Sequence, residues 1–145
     1  MAKNNTFAWL AAALFLLVRT VHAEVQLTDA RAILSATAPR NVEVYFVLRN
    51  ATSHELELLK VESARAERVE LKVRSYGPDG RPRLWPVAKF DVPAGGLLKL
   101  SADGRFFQVT ELDARLRAGD RLPLVLTFEN EPPVSLSVVL EDARP

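Results

Sequence analysis

Apolar residues recur at every second position through most of this chain, and that period decides what it can fold into. Val69, Leu71 and Val73 alternate with Glu70, Lys72 and Arg74, the inside–outside pattern of a half-buried strand. Val42-Glu43-Val44-Tyr45-Phe46-Val47-Leu48-Arg49 is rich in β-branched and aromatic residues and reads as a largely buried strand. Asn50-Ala51-Thr52 closes it as turn chemistry. Leu56, Leu58 and Val61 begin the next. Gly77-Pro78-Asp79-Gly80 is the strongest turn signal. Arg83 to Phe90 returns as a strand that Pro86 confines to an edge or a bulge. After Val92-Pro93-Ala94-Gly95-Gly96, strands are expected at Leu97 to Leu100, Arg105 to Leu112, Arg121 to Phe128 and Val134 to Leu140. Only Glu111 to Arg117 looks locally helical. Many short strands punctuated by Gly and Pro indicate an all-β, antiparallel sandwich or barrel.

The first 23 residues are set apart. Lys3 precedes an apolar run from Phe7 to Val18, and Val21-His22-Ala23 offers a small-residue cleavage site. That order is the order of a secretory signal peptide. The run is about twelve residues, short of the ~20 that span a bilayer. The reading is a signal peptide over residues 1–23 and one β domain over 24–145, exported to the periplasm, with Glu24 as the new N-terminus. No cysteine follows the run, so the sequence offers no thiol to carry a lipid.

Removing 23 of the 145 residues leaves 122, enough for one domain with a real core. The chain has no cysteine, so apolar packing must supply the stability that disulfides give many exported domains. Loss of Lys3 and Arg19 takes the 19 basic residues to 17 against 18 acidic, a net charge of −1. That balance argues against nucleic acid or a membrane surface as partner. Basic residues do gather from Arg65 to Lys89, where Arg65, Arg68, Lys72, Arg74, Arg81, Arg83 and Lys89 face only Glu67, Glu70 and Asp79. A solvated face is the ordinary reason for such a run.

No enzymatic constellation emerges. Ser53, His54 and Glu55 are adjacent in sequence, whereas a triad needs three groups that converge in space with distinct roles. Carboxylates such as Asp29, Asp79, Glu111 and Asp113 are present without a pairing that assigns acid and base. There is no Gly-rich phosphate loop, no paired cysteine and no histidine cluster. Asn50-Ala51-Thr52 has the form of a glycosylation sequon, but the turn reading is preferred.

The order of the remaining short blocks carries a resemblance. Asp29-Ala30, Ala38-Pro39, Tyr45 followed by Asn50, Arg68-Val69-Glu70-Leu71, Pro86-Val87, Val92 to Gly96, Leu116-Arg117-Ala118-Gly119-Asp120 and Leu122 to Glu129 together resemble the periplasmic copper chaperones called PCu(A)C. The resemblance runs over essentially the whole mature chain. It implies a cupredoxin-like Greek-key β-sandwich, no enzymatic activity, and a copper site built from a His, a Met and a His-x-Met. Aligned on the resemblance, those positions hold Lys72, Leu84, Phe106 and Gln108.

None of the four is a copper(I) ligand. Soft thioether and imidazole donors select that ion. Lysine carries an ammonium at neutral pH, which repels a cation; Leu84 and Phe106 have no donor, and the Gln108 amide oxygen is hard. Met1 is the only methionine, and His54 is the only histidine outside the leader. Glu24-Val25-Gln26 lacks the third-position His of an amino-terminal copper site. No cofactor is therefore expected, although the resemblance by itself implies copper.

Three readings follow. The first is a PCu(A)C-like protein that has lost its copper site and serves as a non-catalytic binding module for another periplasmic protein. Strand alternation places Phe106 away from Phe107 and Val109, so Phe106 is expected to meet Leu84 in a cross-strand apolar contact with Trp85 alongside. That contact either only repairs the fold where metal ligands are missing or forms the partly accessible centre of a docking patch. Lys72, Arg74, Arg83 and Arg105 would form its basic rim. The second is a genuine copper carrier for oxidase assembly using other ligands. The third is an unrelated exported sandwich used in adhesion or structure.

Overall fold

A computed structural model describes residues 24–143. The expected signal peptide, residues 1–23, lies outside the described residues. Ten strands follow one another: β1 (Val25–Leu34), β2 (Val42–Asn50), β3 (Leu56–Glu62), β4 (Ala66–Tyr76), β5 (Pro82–Pro86), β6 (Phe90–Val92), β7 (Leu97–Lys99), β8 (Arg105–Leu112), β9 (Arg121–Phe128) and β10 (Val134–Asp142). Their spatial order is β5-β4-β8-β2-β1-β10-β9-β3-β6, with β7 alongside β2. The first five form one layer and the last four the other. The layers join where β1 runs parallel to β10, Ala32 opposite Leu140. Every other pairing is antiparallel, so this seam is the one departure from the expected antiparallel arrangement.

Alternation accounts for the core. In β2, Val42, Val44, Phe46 and Leu48 are buried while Glu43, Tyr45 and Val47 lie on the other face. In β9, Leu122, Leu124, Leu126 and Phe128 point inward. Phe107 sits at the centre, its ring 5.2 Å from that of Phe46 and 5.9 Å from that of Phe90. Tilted contacts of this kind add to simple area burial. Pro123 is tolerated in β9 because the last rung to β3 is Glu62 with Val125, so the missing N–H faces no partner strand.

Two expectations need correction. Glu111 to Arg117 forms no helix: β8 runs through Glu111, which sits at φ 55°, to Leu112, which pairs with Ala66 of β4. Asp113 then folds back on its own backbone, its Oδ1 accepting from the Arg115 N–H at 3.0 Å, a local bond that competes with helix formation. The first strand, Val25–Leu34, was not expected at all. Its pairing with β2 shifts register between Thr28 and Arg31, and Asp29 adopts φ 55°. Such a bulge breaks the period-two signal.

The Asn50-Ala51-Thr52 turn is present, and Asn50 is wholly buried. Its Nδ2 donates towards the carbonyls of His54, Val92 and Pro93 at 2.8, 3.0 and 3.1 Å. Its Oδ1 accepts from the Thr52 N–H and hydroxyl. The amide nitrogen is committed to the fold, which removes the sequon from consideration.

Candidate functional site: the outer face of β4, β8 and β2

Register, not proximity in sequence, assembles this face. Lys72 pairs with Phe106 and Glu70 with Gln108 across β4 and β8. Gln108 in turn pairs with Glu43 of β2. Directly paired residues share a face, so Lys72, Phe106 and Gln108 all project away from the Phe107 core. Leu84 shares that face, since it pairs with Arg74, two residues beyond Lys72. Three strands therefore bring the four aligned positions to one side of the sheet.

The centre of the face is occupied by a protein cation. The guanidinium of Arg74 lies 4.7 Å above the ring centroid of Phe106, a cation–π arrangement. Its two terminal nitrogens both donate to the Glu43 carboxylate, and one also donates to the carbonyl of Ala102. The Tyr45 hydroxyl donates to the same carboxylate. Burial first, and the Glu43 hydrogen bond second, push the Tyr45 hydroxyl well above its ordinary pKa of 10.0. The bond to Glu43 likewise raises Arg74. A planar fork held on a carboxylate is a geometry that lysine could not reproduce. Beside it, Lys72 Nζ sits 3.2 Å from Glu70 Oε2.

This arrangement corrects the expected docking centre in three respects. Phe106 is 0% exposed, although it does not belong to the core between the sheets. The Arg74 side chain covers it, because a long cationic side chain can shield an apolar surface with its stem and plane. Nor do Leu84 and Phe106 meet as a cross-strand pair. Strand β4 lies between theirs, so their backbones stand about two strand spacings, or ~10 Å, apart. Leu84, Trp85, Arg83 and Arg105 are exposed, but Trp85, Arg83 and Arg105 pair with Val73 and Ser75 and so lie on the opposite face of the sheet from Lys72, Arg74 and Phe106, where they cannot rim that centre.

Glu43 and Tyr45 were missed as site residues. The signal was there: positions 43 and 45 alternate with a row of buried apolar residues, so they had to face out from a strand read only as buried. His54 lies in the loop after β2, half exposed, with Nε2 3.0 Å from Glu131 Oε1. Among the described residues, one carboxylate group, Glu55, Glu57 and Asp91, is close enough to share an ion. Lys89 Nζ already contacts Glu57 and lies 3.3 Å from Asp91. No helix among the described residues is long and apolar enough to cross a membrane.

Residues 25–140 match the LpqE-like family, described as “Putative lipoprotein LpqE-like”. The chain belongs to the LpqE-like family. Three solved structures show the same fold. The copper-bound PCuAC domain from PmoF2 is 12% identical, with 83% of this chain and 94% of that one covered and a TM-score of 0.68. The apo PCuAC domain from PmoF1 is 15% identical, covering 83% and 95%, with a TM-score of 0.65. Apo-DR1885 from Deinococcus radiodurans is 17% identical, covering 83% and 80%, with a TM-score of 0.59. Among curated proteins no sequence matches. The PCu(A)C resemblance and the cupredoxin-like β fold read from the sequence are borne out.

Proposed function

We propose that this LpqE-like protein is an exported, periplasmic binding module, neither enzyme nor copper carrier, in which a fixed guanidinium has replaced the copper ion. One observation carries the reading. Arg74, clamped on Glu43, lies over Phe106 on the face to which Lys72, Gln108 and Leu84 also project. The groups present there are an ammonium, a guanidinium, a phenyl ring, an alkyl side chain and an amide. None of these supplies the soft donor that copper(I) requires, and two of them are positive. The carboxylates that could have attracted a cation there are already paired, Glu43 with Arg74 and Tyr45 and Glu70 with Lys72.

Copper(I) titration against a chromophoric competitor tests this. The protein is expected to leave the competitor's copper untouched, and His54→Ala is expected to change nothing. A stoichiometric, tight copper(I) site that survives His54→Ala would replace this reading with that of a copper carrier using other residues. A constructive test is also available. Installing Lys72→His, Leu84→Met, Phe106→His and Gln108→Met is expected to create copper(I) binding only when Arg74→Ala is added, because the guanidinium otherwise repels the ion.

A further inference from the structure

We propose that the inner-facing side of the β4–β5 hairpin docks an acidic segment of another exported protein, with Trp85 as anchor and Arg83 and Arg105 as its carboxylate-binding pair. This rests on the binding-module reading and names its partner's chemistry.

The geometry starts from register. Trp85, Val73 and Arg105 lie in one row across β5, β4 and β8, and Ser75 pairs with Arg83 in the next. All five share the face that carries Leu71 and Phe107 into the core. Here, however, the hairpin overhangs: every residue of β5 is exposed, and Trp85 retains 54% of its surface. The indole is nevertheless positioned, since its N–H donates to Ser75 Oγ at 3.0 Å. Tryptophan and arginine are among the residues enriched at the energetic anchors of protein interfaces.

Charge selects the occupant. Among the described residues neither Arg83 nor Arg105 makes an ion pair, whereas the neighbouring Arg81 approaches Asp79 at 3.9 Å. Arg105 instead lies over the edge of the core, 5.9 Å from the Phe90 ring centroid. The Arg83 guanidinium lies over Gly77 beside the Asp79 side chain without pairing to it, and two guanidiniums not held in an ion pair offer planar, two-pronged recognition of carboxylates on one face. The chain's own outer-face arginine, Arg74, shows that geometry already satisfied with Glu43.

The hairpin also excludes the simplest alternative, addition of a strand. Hydrogen bonds from Val87 N to Leu71 O and from Gly77 N to Arg81 O turn the odd positions of β5 towards β4. Positions 82, 84 and 86 then face the free edge of the sheet. Two of these are proline, so Leu84 offers the only N–H there, too few to hold another strand. A lipid surface is disfavoured because the hairpin tip, Gly77-Pro78-Asp79-Gly80, is polar, with Trp85 set back towards its base.

The test uses the whole protein carrying Trp9→Phe, so that Trp85 is its one tryptophan. The probe is a fluorescein-labelled peptide alternating Glu and Leu, with a Lys/Leu peptide of equal length as control. Saturable binding of the Glu/Leu peptide, with a blue shift of Trp85 emission, is expected. Arg83→Gln with Arg105→Gln should weaken it about tenfold or more at an unchanged unfolding midpoint, and Arg83→Glu with Arg105→Glu should abolish it. Absence of binding, equal binding of the Lys/Leu peptide, or insensitivity to these substitutions would overturn the proposal. So would an emission shift with phosphatidylglycerol vesicles in place of peptide, which would identify a lipid surface. Self-association removed by Trp85→Ala would likewise replace the partner with a second copy. No arm involves copper, so this proposal and the metal-free reading fail separately.

Discussion

The Arg74 guanidinium is bound to the Glu43 carboxylate and the Ala102 carbonyl, covers the Phe106 ring, and through Glu43 holds the Tyr45 hydroxyl. Removing it strands a half-buried carboxylate and opens a buried ring. Arg74→Ala is therefore expected to cost about 2–3 kcal/mol in urea unfolding, below the range for a fully buried pair because both partners keep some exposure. Phe106→Ala should cost ~3–5 kcal/mol, as for a core aromatic, while the exposed Leu84→Ala should stay within about 0.5 kcal/mol. Alkaline pH acts on the same cluster. The folded pKa of Tyr45 is raised by burial and then by Glu43. Its contribution is thus complete below the unfolded value of 10.0 and is lost as pH rises through the folded one. Tyrosinate absorbance from Tyr45 should appear with unfolding, and Tyr45→Phe should flatten the alkaline fall in urea midpoint. Sequence placed Phe106 on the right face. What it could not reveal is that a side chain two positions beyond Phe106's partner Lys72 would lie across the ring, because rotamer choice depends on Glu43 from a third strand.

At the scale of elements, loops and edges carry the less obvious controls. Asn50 ties the end of β2 to the loop containing His54 and to the β6–β7 turn. Asn50→Ala removes all three of these bonds and leaves the buried Thr52 N–H without its acceptor, while the Thr52 hydroxyl keeps the His54 carbonyl and the Pro93 carbonyl keeps the Gly96 N–H. A loss of about 2–4 kcal/mol is expected in thermal or urea unfolding. The prolines of β5 are a second control. Pro82→Thr with Pro86→Val restores two outward N–H groups on an end strand. Concentration-dependent light scattering should rise in that variant while its monomer remains folded. Pro86 was read as marking an edge, and it does, since the restriction is local to its ring. The Asn50 turn was likewise legible, but its burial was not: nothing in Asn50-Ala51-Thr52 says that Val92 and Pro93 will arrive above it.

For the molecule as a whole, stability rests on one apolar core closed without a disulfide, and the proposed address rests on reading residues 1–23 as a leader. The exported protein is expected to have an intact mass corresponding to a chain that starts at Glu24; recovery of residues 1–23 in soluble cytoplasmic protein would remove the periplasmic assignment. The sequence by itself determined the β class, most of the strands, the strong turns and the family likeness. Those follow from side-chain period, from proline and glycine backbone limits and from the order of short blocks, all of which are local. It also determined the donor chemistry at the aligned positions, since residue type alone says what can bind. The tertiary structure decided the bulged first strand, the parallel seam between β1 and β10, and the covering of Phe106. It also decided the overhang that leaves Trp85, Arg83 and Arg105 open. Each of these depends on which strand lies beside which, a long-range register that no local period encodes.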